Sequence, residues 1–155
     1  MKMGAVMTLS LPVRAFVGFL AAVLSVLIFH QGVVALLHVL DIPNYQTALP
    51  YPMRAIPPWG IPAIVNLCFW GGMYGVVFGM LAPRFTLPFW VCGLIMGLVA
   101  TLVGFFVVST IKGTPVGGGW MLNNWVRSIL INGVGFGLGL GLIYPVLARL
   151  FARRA

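Results

Sequence analysis

Acidic residues are nearly missing from this 155-residue chain, which contains one Asp, Asp41, and no Glu. Without further carboxylates the chain cannot form the paired acids of a glycosidase or an acidic proton relay inside a membrane. A zinc site needs three or four protein ligands, and two histidines and a single Asp in the entire chain argue against one. Neither a phosphate-binding loop nor a Gly-x-Ser-x-Gly elbow occurs. We therefore predict no enzymatic activity, no bound metal and no cofactor.

Charge of either sign is also scarce. Charged residues make up 6% of the chain and hydrophobic residues 61%, with a mean hydropathy of +1.10. Four long apolar runs, 15–40, 60–82, 87–111 and 126–147, account for this composition. Each exceeds the roughly 20 residues that a helix needs to cross a bilayer. These runs predict an all-α fold, an integral membrane four-helix bundle in which 1–155 is one transmembrane domain.

The basic residues, which give a net charge of +8, flank the four runs. With four spans, six of the nine basic residues fall on one side of the membrane. These are Lys2, Arg14, Arg84, Arg149, Arg153 and Arg154. Three fall on the other side, namely Arg54, Lys112 and Arg127. The positive-inside rule places the richer side, with both termini, in the cytoplasm. There the last three arginines would attract anionic lipid headgroups, and we predict no binding to nucleic acid.

The two cysteines, Cys68 and Cys92, fall at opposite depths of the predicted bundle. Counting about 1.5 Å per residue, the first lies near the outer surface and the second near the inner surface. Their Cα atoms should be farther apart than the roughly 7 Å that a disulfide allows. We predict two unpaired, buried thiols.

An internal repeat relates the two halves of the chain. Gly71, Gly75, Gly79 and Pro83 recur at one constant offset as Gly133, Gly137, Gly141 and Pro145. The repeat predicts two tandem helical hairpins, 15–82 and 87–147. The very short connection at Pro83 also predicts that the second and third helices are antiparallel neighbours.

The repeated glycines form a stripe without side chains on the second and fourth helices. Close backbone contact and dispersion hold helices together in lipid, where no hydrophobic drive exists between them. Two interpretations follow from the spacing. The stripes pack helices within one chain, or they form a face for a homo-oligomer or for another membrane subunit.

Polar side chains from all four predicted helices fall at a similar depth, towards the outer side. They are His30, Gln31, Asn66, Thr101, Ser128 and Asn132. Polar groups inside a membrane mark ligand or ion paths, or they join helices by hydrogen bonds worth about 0.6 kcal/mol each. Both interpretations remain open at this stage. So does the course of the proline-rich outer connection 41–62, which either lies on the surface or dips back towards this layer.

Three short motifs span most of the chain, namely Phe29-His30-Gln31-Gly32, Phe69-Trp70-Gly71-Gly72 and Lys112-Gly113-Thr114-Pro115. In these motifs the chain resembles small four-span inner-membrane proteins of proteobacteria to which no activity is assigned. The resemblance implies a bacterial inner membrane and carries over no functional residue.

Two functional classes follow. The first is a non-catalytic packing or accessory subunit of a homo-oligomeric or larger membrane complex, joined through the glycine stripes. The alternative is a small oligomeric channel or carrier that passes a neutral or anionic solute through the outer polar layer. Haem binding would need a second chain or a methionine ligand, because His30 and His38 lie on one helix.

Overall fold

The computed structural model describes residues 9–152, which form four long helices. They are α1 (Leu11–Leu40), α2 (Ala63–Arg84), α3 (Phe89–Lys112) and α4 (Leu122–Ala152), and each is long and apolar enough to cross a membrane. One antiparallel pair of two-residue strands, β1 (Ala55–Ile56) and β2 (Ile61–Pro62), lies between α1 and α2. The predicted all-α four-helix membrane bundle is confirmed. Lys2, Arg153 and Arg154 lie outside the described residues.

The helix boundaries differ from the apolar runs for local reasons. α1 begins four residues early, at Leu11, because Pro12 fits the first turn of a helix, where its missing N–H is not needed. α2 begins at Ala63 because the two preceding residues pair with β1. Pro83 lies in the turn that ends α2, whereas Pro145 lies inside α4, which continues to Ala152. The repeated prolines therefore have different structural roles.

The beginning of α1 and the end of α4 lie at the same end of the bundle, since the rings of Phe16 and Phe151 pack edge to face with centroids 6.2 Å apart. We call this the terminal end; it also contains the turn between α2 and α3. The opposite end contains the two long connections, 41–62 and 113–121, and we call it the loop end.

Glycines bring α1 and α2 into backbone contact. A Cβ atom at Gly18 would overlap the carbonyl oxygen of Gly75 and approach the amide nitrogen of Gly79. One at Gly79 would overlap the carbonyl oxygen of Arg14. Side chains at these positions would push the two helices apart, so the α1–α2 hairpin depends on their absence.

The α3–α4 hairpin repeats this contact atom for atom. A Cβ atom at Gly93 would overlap the carbonyl oxygen of Gly137 and approach the amide nitrogen of Gly141. These are the same atoms, at the same spacing, as in the first hairpin. A Cβ atom at Gly97 would overlap the carbonyl oxygen of Asn132 one turn further along. The two tandem hairpins predicted from the glycine offset therefore share one helix-packing geometry.

The two hairpins join through α1 and α4, which pack along most of their length. The Ser25 hydroxyl donates a 2.6 Å hydrogen bond to the carbonyl oxygen of Phe136, and a Cβ atom at Gly139 would overlap that hydroxyl. By contrast, α2 and α3 contact each other sparsely. The short turn makes them antiparallel as predicted, but they meet through bulky rings such as Phe78 and Phe89 at the terminal end and not along their length.

Those rings fill the terminal end of the bundle. Phe78 and Tyr144 are fully buried with centroids 5.4 Å apart, and Phe85 and Phe89 pack around them. The Tyr144 hydroxyl lies 3.5 Å from the carbonyl oxygen of Gly79. The centre of the bundle is therefore closed by aromatic packing at this end.

Three of the four helices contain wider, π-helical turns, at Val26–His30, Val103–Val108 and Ile129–Gly137. Each lies in the loop-end half of its helix, and α2 has none. π-Helical turns are rare in proteins overall. Where they interrupt an α-helix, they often lie at a functional site. The loop-end half of the bundle is therefore the less regular half.

Candidate functional site

A cavity of about 490 Å³ occupies the loop end. Residues from all four helices and from the connection 41–62 line it. Three of them are basic and come from different parts of the chain, namely Arg54 from the connection, Lys112 from the end of α3 and Arg127 from α4. The only acidic residue of the chain, Asp41, does not line the cavity. Its wall therefore carries positive charge alone.

Amide side chains complete the polar part of the wall. Gln31 is 1% exposed, and its Oε1 accepts a 2.6 Å hydrogen bond from the amide of Tyr51. Its Nε2 lies 3.2 Å from Nδ1 of His30. Gln46 and Asn66 line the cavity as well. The two hydrogen bonds of Gln31 offset the cost of burying its amide and fix its orientation at the base of the connection.

The connection 41–62 dips back along α1. The Thr47 hydroxyl donates to the carbonyl oxygen of Val34 at 2.8 Å, and the Tyr51 hydroxyl donates to that of Leu27 at 2.8 Å. His38 donates through Nδ1 to the carbonyl oxygen of Thr47 at 2.9 Å. Leu27 is 13 positions before the end of α1, or roughly 20 Å along the helix axis. The connection therefore covers one side of the cavity and does not lie flat on the surface.

Arg127 of α4 holds the connection 41–62 by a hydrogen bond, on the side away from α1. Its Nη1 donates to the carbonyl oxygen of Gln46 at 3.0 Å, and its Nη2 donates to Oδ1 of Asn124 at 2.9 Å. Asn123 donates through Nδ2 to the carbonyl oxygen of Asn44 at 3.0 Å. Arg54 and Lys112 make no side-chain hydrogen bond within residues 9–152, and both are exposed. Two of the three cations are thus available to a ligand.

The predicted polar layer divides into two groups. His30, Gln31 and Asn66 line the cavity. Thr101, Ser128 and Asn132 lie instead between α3 and α4, where Asn132 Nδ2 donates to Thr101 Oγ1 at 3.3 Å and to Ser128 Oγ at 3.2 Å. Within the second group the polar atoms satisfy one another, as in interhelical hydrogen bonding. Only the first group faces open space.

The predicted helix-packing glycines lie at contacts within the chain. Gly75, Gly79, Gly137 and Gly141 face the backbone of the partner helix in their own hairpin. Gly71 and Gly133 face side chains, the former that of Val26 on α1. The faces from which partner binding was predicted are therefore occupied by the protein's own helices.

The three basic residues of the site were not predicted as a group. Arg54, Lys112 and Arg127 were assigned only to one side of the membrane. The sequence does contain a signal for the group, because these three are all the basic residues assigned to that side of the membrane. Their convergence depends on the inward course of the connection, and no local pattern encodes that course.

Other chemistry finds no support among the described residues. Cys68 and Cys92 are free and half-buried rather than fully buried. No group of three or more His, Cys, Asp or Glu side chains within 9–152 could bind a metal ion.

Comparison with known proteins gives no further guidance, because no protein-family model, curated protein or solved structure matches the chain. What the site binds must follow from its own residues.

Proposed function

We propose that this is a non-catalytic, multi-pass membrane protein that binds a small anionic group in the cavity at its loop end. The single observation that carries the proposal is the convergence of Arg54, Lys112 and Arg127 on one cavity that contains no carboxylate. Three cations around one cavity attract an anion more strongly than the same charges spread over the surface, because a cleft lined by one sign of charge focuses the field. Carboxylate and phosphate groups match the donors of arginine and lysine.

The amides and the size of the cavity support the same proposal. Asn66 and Gln46 offer neutral donors beside the cations. A volume of about 490 Å³ lies within the usual range for small-molecule sites. The aromatic cluster around Phe78 closes the terminal end, whereas the cavity lies at the loop end. We propose that this is the ligand-receiving state of a carrier, which matches the predicted alternative of an anionic solute.

We also propose that the loop end faces outwards and that both termini are cytoplasmic. The positive-inside rule supports this orientation. The resemblance to proteobacterial four-span proteins supports a bacterial inner membrane.

The accessory-subunit hypothesis and the predicted oligomer remain predictions. The repeated glycines no longer favour them, because they pack helices within the chain. A partner would have to use a different face, such as the exposed Phe69, Trp70 and Met73 of α2.

Binding can be tested with inorganic phosphate and purified protein in mild detergent, at an ionic strength kept constant with sodium chloride. A ligand that binds only the folded state raises its stability, by about 2.7 kcal/mol at 100 times its Kd. We expect phosphate to raise the unfolding temperature of the wild type, and Arg54→Gln combined with Lys112→Gln to remove this shift. Arg84→Gln, which removes an exposed arginine at the terminal end, is the control and should keep it. An equal shift in both variants would refute the proposal.

A further inference from the structure

The cavity has an apolar wall beside its cationic one. The apolar side chains are those of Val34, Leu49, Pro52, Ile56, Leu67 and Ile131. A small hydrophilic anion would satisfy the cations and leave these side chains in contact with water. A ligand that carries a hydrocarbon chain would cover them as well, which is favourable in proportion to the apolar area removed from water.

α2 and α3 separate towards this cavity. At the terminal end Phe78 of α2 packs near Phe89 of α3, with ring centroids 6.4 Å apart. Towards the loop end the Val103–Val108 segment of α3 packs against the second connection, and it makes no extended contact with α2. Leu67 of α2 and Lys112 of α3 nevertheless line the same cavity. The cavity therefore lies where α2 and α3 are not in close contact, and we call this side of the bundle the α2–α3 cleft.

The cations of the site lie at the depth of lipid headgroups. Arg127 and Arg149 are 22 positions apart on α4, or roughly 33 Å along the axis, close to the hydrocarbon thickness of about 30 Å. Lys112 is the last residue of α3, at the same end. A headgroup between these cations would keep its chain at the level of the α2–α3 cleft.

We propose that the anion bound at the loop end is the head of an anionic amphiphile from the bilayer, whose hydrocarbon chain occupies the cleft between α2 and α3. Arg54 and Lys112 bind the head, Arg127 adds its positive charge while it holds the connection 41–62, and Leu67 contacts the chain. The inference rests on the proposed function, because it names the class of ligand for the same site. A phosphate or carboxylate head fits equally, so the hydrocarbon chain is the distinguishing feature.

Native mass spectrometry of the full chain, released from phosphatidylcholine nanodiscs that contain phosphatidylglycerol, tests this. We expect the wild type to retain phosphatidylglycerol in preference to phosphatidylcholine. The preference should fall about fivefold for each of Arg54→Gln and Lys112→Gln, because each substitution removes one ion pair to the bound head, worth up to about 1 kcal/mol between exposed groups. Arg84→Gln is the matched control at the terminal end and should leave the preference unchanged.

A second pair of variants tests the cleft. Leu67→Trp should reduce retention of phosphatidylglycerol severalfold more than it reduces the stabilisation by inorganic phosphate, because its ring takes the place of the hydrocarbon chain. Val77→Trp, on an exposed face of the same helix, should change neither. Equal retention in these two variants would overturn the cleft as the binding site of the chain.

The outcomes separate the two proposals. If phosphate stabilises the protein and phosphatidylglycerol is retained no better than phosphatidylcholine, the ligand is a soluble anion and this inference fails alone. If neither phosphate nor phosphatidylglycerol interacts with the wild type, the proposed function fails with it.

Discussion

The two ends of the bundle are built from the same four helices, but different side chains lie between the helices at each end. At the terminal end the helices are regular and aromatic rings fill the centre, with Phe78 and Tyr144 fully buried. At the loop end three helices contain π-helical turns, and no Phe, Tyr or Trp lines the cavity of about 490 Å³. One end is packed for stability, and the other contains an open cavity with a cationic wall.

The glycine contacts do not account for this difference. Gly75 and Gly137 make equivalent contacts in the two hairpins, so the hairpins are built alike. The two ends differ in the contacts between the two hairpins. At one end large rings form these contacts, and at the other the connection 41–62 enters and is fastened by Arg127. Helix pairing and the proposed ligand binding therefore depend on different residues, and substitutions should separate the two.

The largest effect should come from filling the glycine contacts. Gly75→Leu and Gly137→Leu each place a side chain against the backbone of the partner helix. We expect a loss of more than about 3 kcal/mol, at the upper end of the cost of overpacking, measured as a lower unfolding temperature in detergent. Gly32→Leu and Gly104→Leu are matched controls, because a Cβ atom at either site meets nothing within 4 Å. Equal losses at all four sites would contradict the packing described.

Opening the aromatic cluster should have the next largest effect. Phe78→Ala removes a fully buried ring at the terminal end and should cost about 3–5 kcal/mol. The lipid-facing Phe69 of the same helix is 51% exposed, so Phe69→Ala should cost much less. Thermal unfolding of both variants gives the comparison, and similar losses would show that the terminal end is not a packed core.

The smallest effect distinguishes the two polar groups. Asn132→Ala removes one hydrogen bond between α4 and α3, to Thr101, and one within α4, to Ser128, and should cost roughly 1 kcal/mol of stability, with the response to phosphate preserved. Asn66→Ala should do the reverse, because Asn66 lines the cavity and donates no side-chain hydrogen bond within the described chain. Unfolding temperatures with and without phosphate measure both effects. Identical behaviour of the two variants would show that Asn66 and Asn132 belong to one polar layer with one role.

Much of the fold could be predicted because membrane helices follow from length and apolarity. Periodicity also predicted the hairpins, since the contacts of Gly75 and Gly137 depend on a spacing of four residues that the sequence displays directly. The sparse contact between α2 and α3 could not be predicted, because a short turn fixes direction and leaves the distance between helices to side chains such as Phe78.

The site was predictable only in part. His30, Gln31 and Asn66 share a depth, and counting along helices finds depth. The separation of Asn132 from them depends on how the helices are rotated about their axes, which depth alone does not give. The place of Arg54 depends on hydrogen bonds from a proline-rich segment to backbone carbonyl groups of α1, and such bonds leave no periodic pattern.

The positive charge of the cavity can be measured directly with methanethiosulfonate reagents of opposite charge. Ala48 lines the cavity, and Ala48→Cys would be introduced with Cys68 and Cys92 replaced by serine. We predict that the anionic reagent reacts faster than the cationic one, after each rate is divided by that of a small free thiol, and that Lys112→Gln reduces this preference. A normalised preference for the cationic reagent, or none at all, would contradict an anion-binding site at the loop end.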